Sequence, residues 1–174
     1  MSAESMDANA HVRSHLSGYT DGEGCFCVSF NKSRRHRFGW EIRPSFSVSQ
    51  NAERAELLER IRELWKCGSI RPDRSDRTLK YEVRNLEDLL GKVLPHFREY
   101  PLQSSKQDDV DRFDRICRLM SEGMHFTRDG FTEIVKLAMT MNPSGKRKYS
   151  ENEILNSLRS GERIVYAPGN RGNP

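Results

Sequence analysis

The sequence predicts an α+β domain: a four-stranded antiparallel sheet with helices packed on one face and the other face left open. Three observations predict it. Two stretches alternate apolar and polar residues with period two, and each is broken by a short turn, which marks two hairpins. Helical periodicity fills the chain before, between and after them. The polar positions of the alternating stretches are rich in Ser, Asn and Arg rather than the Lys, Glu and Thr usual on a solvated sheet. The order is helix, two strands, helix, two strands, helix, an internal repeat of architecture though not of sequence.

The first helix runs through His11 towards Gly24. Ser14, Gly18 and Gly22 recur along it at helical spacing and form a narrow stripe nearly free of side chains, which suits close approach by another helix. Leu16 and Tyr19 fall on other faces, available for a core. Asp21 and Glu23 crowd the carboxyl end, where the helix dipole is already negative and each acid costs about 0.3–1 kcal/mol. A divalent cation such as Mg²⁺, held by carboxylate and phosphate oxygens, would offset that cost. The same spacing also suits an ordinary solvated helix end closed by two glycines.

In the first hairpin Phe26, Val28 and Phe30 point one way, against Cys25, Cys27, Ser29, Asn31, Ser33 and Arg35. After a turn at Phe38-Gly39, Trp40, Ile42, Phe46 and Val48 oppose Glu41, Arg43, Ser45, Ser47 and Ser49. Glu53 to Lys66 reads as a helix through Leu57, Leu58, Ile61, Leu64 and Trp65, and Gly68 ends it. The second hairpin joins Ser69–Asp73 to Thr78–Arg84 around residues 74–76. Ile70, Leu79, Tyr81 and Val83 face the core, while Ser69, Arg71, Asp73, Lys80 and Arg84 face outward.

A helix from Leu86 to Phe97 follows, closed by Pro95 and Pro101, and another from Gln103 to Met120 carries Val110, Phe113, Ile116, Cys117 and Met120 inward. Thr127 caps the next helix, with Phe126 and Phe131 spaced as a hydrophobic staple. Ser150 and Glu153 form a capping box, with Tyr149 and Ile154 spaced in the same way. Residues 1–159 read as one domain, and residues 160–174, rich in Gly, Asn and Pro, as a loose tail.

Net charge is only +4, but it is segregated. Residues 31–37 are nearly all basic, Arg71, Arg74, Arg77, Lys80 and Arg84 make a second basic band, and the acids collect on the helix at 53–63. Basic strands apart from acidic helices point to a polyanion. Ser29, Asn31, Ser33, Arg35, Arg37, Arg43, Ser45, Ser47, Ser69, Arg71, Asp73, Arg77, Lys80 and Arg84 are the candidates for contact with double-stranded DNA, because such side chains match base edges in the major groove. Lys146 and Lys148 lie in a small basic loop that suits phosphate and suits solvent equally well. No apolar run reaches the roughly 20 residues that cross a bilayer, so no membrane partner is expected. Four cysteines without paired CxxC spacing fit reduced thiols in a cytoplasm-like compartment. His11 and His15 have the spacing of a helical metal pair but lack a third ligand nearby.

Leu16-Ser-Gly-Tyr-Thr-Asp-Gly-Glu-Gly24 resembles the nine-residue motif that names the LAGLIDADG homing endonucleases. Leu16, Gly18, Asp21 and Gly24 match it outright, Glu23 stands for the second acid, and Ser17 and Gly22 are small-for-small changes. The resemblance continues from about His15 to Leu158. It implies the αββαββα saddle fold of that family and a site-specific, intron-encoded DNA endonuclease making a double-strand break by metal-dependent phosphodiester hydrolysis. The expected compartment is the bacterial cytoplasm or the organelle whose genome carries the frame.

The resemblance also implies roles for particular residues. Glu23, with Gly22 beside it, becomes the metal site for Mg²⁺, with Mn²⁺ or Ca²⁺ able to substitute for binding. Gln50 and Arg54 have the placement of the Gln and Arg that serve water and phosphate near the metal; on spacing alone they suit a strand end and a helix surface equally. Lys106 is the expected lysine entering the helix after the second repeat, with a serine where a neighbouring lysine often stands. A single motif implies a homodimer on a pseudo-palindromic target, joined through Ser14, Ser17, Gly18, Asp21 and Gly22. The alternative is an RNA maturase bound to intron RNA, or a cleavage-deficient DNA-binding protein, on the same fold.

Overall fold

Period-two alternation becomes sheet, and the apolar half of each strand becomes one wall of the core. The structure is a computed structural model, and it describes residues 3–73 and 77–159. The expected turn at 74–76 and the expected tail at 160–174 lie outside the described residues. Helix α1 (Ala3–Glu23) runs directly into β1 (Gly24–Lys32), which turns back as β2 (Trp40–Asn51). A 3₁₀ turn (Ala52–Arg54) and α2 (Glu56–Trp65) lead to β3 (Ser69–Pro72) and β4 (Thr78–Val83). The four strands pair antiparallel in the order β1-β2-β4-β3, which makes β2 and β4 the centre and β1 and β3 the edges. The register sets Phe26 against Phe46, Phe46 against Val83, and Val48 against Tyr81, so the inward side chains line up across the strands.

Helices cover that apolar face. The Phe26 ring packs against Phe46 at 4.9 Å, Phe97 at 5.2 Å and Phe113 at 5.5 Å, so the sheet and two helices meet in one aromatic cluster. From α2, Leu58, Ile61 and Trp65 reach the same core. The helix starts three residues later than its periodicity implies, because Ala52–Arg54 is wound as the 3₁₀ turn. It ends on left-handed residues, Lys66 (φ 48°) and Gly68 (φ 73°). At Gly68 a Cβ would lie 2.8 Å from the Glu82 carbonyl and the Tyr81 ring, so only glycine fits this corner.

Pro95 does not close the next helix. The chain continues through it as α3 (Leu86–Asp88), a π turn (Leu89–Val93) and α4 (Leu94–Glu99). In that turn the Leu94 amide donates five residues back, to Leu89. The widened turn sits just before the proline, whose ring and missing N–H would otherwise break the α ladder. Helix α5 (Gln107–Ser121) begins four residues after its expected start, because residues 102–106 are spent on other contacts.

Two short helices, α6 (Arg128–Thr140) and α7 (Glu151–Arg159), complete the domain. Thr127 caps α6 by accepting from the Gly130 amide at 3.1 Å. Of the two phenylalanines spaced as a staple, Phe131 is buried against Phe38, while Phe126 is half exposed with its ring tilted against His125. Ser150 and Glu153 form the reciprocal capping box, with Tyr149 packed on Trp40. Asn142, after α6, donates from its side chain to the Phe26 carbonyl at 2.7 Å and so closes part of the β1 edge. No helix among the described residues is long and apolar enough to cross a membrane.

Candidate functional site

The carboxyl end of α1 meets the sheet at a corner with no spare room. A Cβ on Gly24 would lie 2.7 Å from the Thr20 carbonyl oxygen, so the helix can enter the strand this tightly only through glycine. This corner leaves Glu23, the last helical residue, exposed beside the first residue of the sheet. Around it the carbonyls of Thr20, Gly22 and Gly24 converge on one cation, the Lys106 ammonium, at 3.1, 3.3 and 3.0 Å. Three donors meet three acceptors, and the charge lies at the negative end of the helix dipole.

Asp21 is bound in the opposite sense. Its carboxylate accepts from the Gln103 and Ser104 amides at 2.9 and 3.1 Å and from the Ser104 hydroxyl. Burial alone would raise its pKa, but those bonds and the Lys106 charge outweigh it and hold the carboxyl below the usual range. The helix end and the segment before α5 thus hold each other through an acid in one direction and a lysine in the other. Ser104, two residues before Lys106, is part of this contact.

Tyr19 was read from sequence only as a core residue. Its hydroxyl donates to the Ser49 carbonyl at 3.0 Å, and the phenol also meets the Gln50 side chain and the charge of Glu23. Burial and then Glu23 raise its pKa, against the lowering contribution of the Gln50 hydrogen bond. Gln50 keeps the inward register of Val48 but lies past the core, and its amide oxygen accepts from the Asn51 amide at 2.8 Å. Glu23, Tyr19, Gln50 and Lys106 therefore gather at one end of β1 and β2. Arg54 sits exposed at the end of the 3₁₀ turn and, among the described residues, makes no hydrogen bond or ion pair with them.

The open face of the sheet carries the polar register. Across the strands run Cys25, Ser47, Glu82 and Ser69 in one row and Ser49, Lys80 and Arg71 in the next. Ser29 pairs with Arg43, and Cys27 with Ser45. Burial, then the Cys27 thiol, raises the Cys25 pKa against the pull of Lys80 and Lys106, so two lysines lie near this thiol. Ser47, in the first of these rows, is only 6 % exposed. The face is also less purely basic than expected. Arg43 pairs with Glu41 at 2.8 Å, and Arg71 and Arg84 both pair with Glu82 at 3.1 and 3.0 Å.

The remaining basic candidates divide by what they touch. In the β1–β2 turn Ser33 bonds His36 at 2.8 Å, and Arg37 donates to the Phe126 carbonyl at 2.7 Å, which ties the hairpin to the 3₁₀ turn before α6. Arg35 is exposed and Asn31 half-buried; at the other hairpin Arg77 is exposed and Asp73 half-buried. In the loop before α7, Lys146 is exposed and the Lys148 ammonium lies 5.2 Å from the Tyr149 ring. Arg147 between them turns back to the Ala138 and Met141 carbonyls and closes α6.

The small-residue stripe lies on the outside. Ser14, Gly18 and Gly22 are exposed, and among the described residues a Cβ on either glycine would meet nothing within 4 Å. Ser17 borders the same recess as Ser14 and Gly18, but its hydroxyl is engaged within the chain. It is buried and donates to the Tyr100 carbonyl at 2.6 Å, so its oxygen accepts from His96 Nε2 at 3.2 Å. That imidazole is pushed down to about 4 by burial and by the nearby Arg13 charge. Asp21 is likewise engaged within the chain, by Gln103 and Ser104.

With this geometry in view, comparison with known proteins is specific. The family described as LAGLIDADG endonuclease matches residues 16–117. Probable intron-encoded endonuclease 2 of Neurospora crassa is 30 % identical over 162 residues, 84 % of this chain; the chain spans 36 % of that relative's length. The archaeal intron-encoded homing endonuclease I-Vdi141I, solved in complex with DNA, superposes with a TM-score of 0.81 at 27 % identity, over 87 % of this chain and 97 % of its own. The meganuclease I-SmaMI, solved on uncleavable DNA, superposes with a TM-score of 0.73 at 30 % identity, over 76 % of this chain and 46 % of its own.

Proposed function

This chain belongs to the LAGLIDADG endonuclease family, and on that footing we propose that it is a site-specific, intron-encoded DNA endonuclease, acting as a homodimer with a divalent cation, Mg²⁺. The observation that carries the reading is the position of Glu23. It is an exposed acid at an oxygen-rich helix end, beside a sheet face that presents Arg43, Lys80, Arg71 and Arg84.

The donor set suits a hard cation. It consists of the Glu23 carboxylate and backbone carbonyls, and the carbonyls already gather one positive charge, that of Lys106. Glu23 and the Gly22 carbonyl are the groups that would hold the metal. A bound divalent ion supplies polarisation of the scissile phosphate and a more acidic water. The other residues act on position and charge. Lys106 and Asp21 fix the helix end that carries Glu23. Tyr19 sits against Gln50, whose amide is within the same cluster and suits orientation of a water. Arg54 and Lys80 add positive charge for the phosphates. The outward strand residues take the major groove.

Support for a homodimer comes from the stripe. Among the described residues nothing lies within 4 Å of a Cβ placed on Gly18 or Gly22, and a second copy crossing there would bring two Glu23 residues together on the axis. The test is selection of bound duplexes from a randomised library in Ca²⁺, followed by transfer to Mg²⁺ and mapping of cut ends. The proposal expects one enriched pseudo-palindromic sequence, cut on both strands. Enrichment without cut ends, or preference for intron RNA over every duplex, would favour the binding-only or maturase alternative.

A further inference from the structure

The basic face contains an acid whose role the sequence did not suggest. Glu82 lies in the central strand β4 with serines opposite it on both sides, Ser47 of β2 and Ser69 of β3. Its side chain is only 10 % exposed, whereas Arg71 and Arg84, which both pair with it, are 46 % and 59 % exposed. The acid is therefore the floor and the two guanidiniums are the rim. Arg71 reaches it from β3, where its register partner is Lys80, and Arg84 reaches it from just past the end of β4. Each arginine spends one terminal nitrogen: Arg71 Nη2 donates to Oε2 at 3.1 Å, and Arg84 Nη2 to Oε1 at 3.1 Å. Most of the five N–H groups of each fork remain for a ligand. The group borders an open recess of about 290 Å³, shared with Ser69, Asn85 and Asp88.

For a surface that only had to hold phosphate, an acid at this point is a disadvantage, because it removes positive charge and repels the backbone. Its benefit is order. A free arginine samples many rotamers, and two arginines crossing one carboxylate are held in a fixed relation before any ligand arrives. A fork held in one place matches the paired O6 and N7 acceptors of guanine at one base pair, whereas the repeating backbone is met by a mobile arginine just as well.

We propose that Glu82 is a specificity-setting residue that holds Arg71 and Arg84 in place to read guanine edges in adjoining base pairs of the duplex. Glu82 positions and the two arginines make contact. This inference rests on the DNA-binding reading above and adds to it the residue that sharpens base choice.

The experiment compares base preference by selection from a randomised duplex library in Ca²⁺, at two salt concentrations. The proteins are wild type, Glu82→Gln, Glu82→Asp, Arg71→Ala, Arg84→Ala and the Glu82→Gln/Arg71→Ala double variant, each checked for an unchanged unfolding transition. Glu82→Gln should relax preference for guanine between about fivefold and a hundredfold, at the base pairs that Arg71→Ala and Arg84→Ala affect and nowhere else. Glu82→Asp should do the same although it keeps the charge, because the shorter side chain withdraws the floor. The double variant should add nothing at the Arg71 position beyond Arg71→Ala. A Glu82→Gln profile unchanged at every position, with tighter binding to all duplexes alike, would overturn the proposal and leave the acid as a mere repellent. A Glu82→Asp profile identical to wild type would overturn the positioning role. Failure of the wild type to enrich any sequence would overturn the DNA reading itself, and this inference with it.

Discussion

Lys106 offers the sharpest perturbation, because its ammonium has three partners and all are carbonyls at the end of α1. Lys106→Met keeps the chain length and removes the charge from Thr20, Gly22 and Gly24. A hydrogen bond from a charged group is typically worth about 1.5–3 kcal/mol, and a cation at a helix carboxyl end adds about 0.3–1 kcal/mol. The three bonds share one ammonium and the half-buried site lets water reach the freed carbonyls, so the losses do not sum. The expected cost is about 2–3 kcal/mol of unfolding free energy, read by urea denaturation. Lys106→Arg should recover only part of it, because a planar fork cannot meet three carbonyls converging on one point. Cleavage should suffer more than stability, since a shift of about 1 Å in Glu23 can cost some hundredfold in rate. The refuting result is a Lys106→Met protein as stable as wild type that has nonetheless lost cleavage. Lys106 would then be acting on the phosphate, and its contacts with the helix end would be incidental.

Gly24→Ala should destabilise by about 1–3 kcal/mol, because its Cβ has backbone on top of it; an unchanged urea midpoint would show that the corner can open. His96 should make stability fall in mild acid. Its folded pKa is about 4 against an ordinary 6.5, so the unfolded chain takes up a proton that the folded chain refuses. The contribution is complete above pH 6.5 and declines as pH falls towards 4, by roughly 3 kcal/mol in all. The unfolding free energy of His96→Gln, measured against wild type over that window, should lack this decline. Gly18→Val tests the stripe with opposite signs for two properties. Among the described residues of one chain the Cβ meets nothing within 4 Å, so the fold should be no less stable, whereas a crossing helix would be pushed away. Sedimentation should find the variant monomeric where wild type is dimeric, and a wild type that is monomeric both free and on DNA would reject the dimer.

The sheet, its register and its apolar wall were legible because period-two alternation and burial are one fact seen twice: Phe26, Val28, Phe46, Val48, Tyr81 and Val83 all face inward. The helix end at Glu23 was legible because two glycines and a change of period coincide there. What was illegible depends on contacts far apart in sequence. Ser17 looked like part of the outer stripe until His96 and Tyr100 were placed beside it. Asp21 falls by sequence at the partner interface, and its bonds to Gln103 and Ser104, 82 and 83 residues on, have no signal in the local pattern. Pro95 suggests an end, and only the π turn before it lets the helix continue. Glu82 sits on an outward register position of β4, so a signal existed, but its meaning lies in two arginines, one of them on another strand. Tyr19 fits a core position by spacing, and the amide it meets, Gln50, comes from the far end of β2.

The central claim is that Glu23 carries cleavage through a bound cation and is not required for holding DNA. Its most direct test is single-turnover cutting of the selected duplex by wild type and by Glu23→Gln at matched concentrations in Mg²⁺, with binding of both measured in Ca²⁺. Glu23→Gln should bind the same sequence within a fewfold of wild-type affinity and leave both strands intact. A Glu23→Gln protein that cuts at near the wild-type rate would contradict the claim.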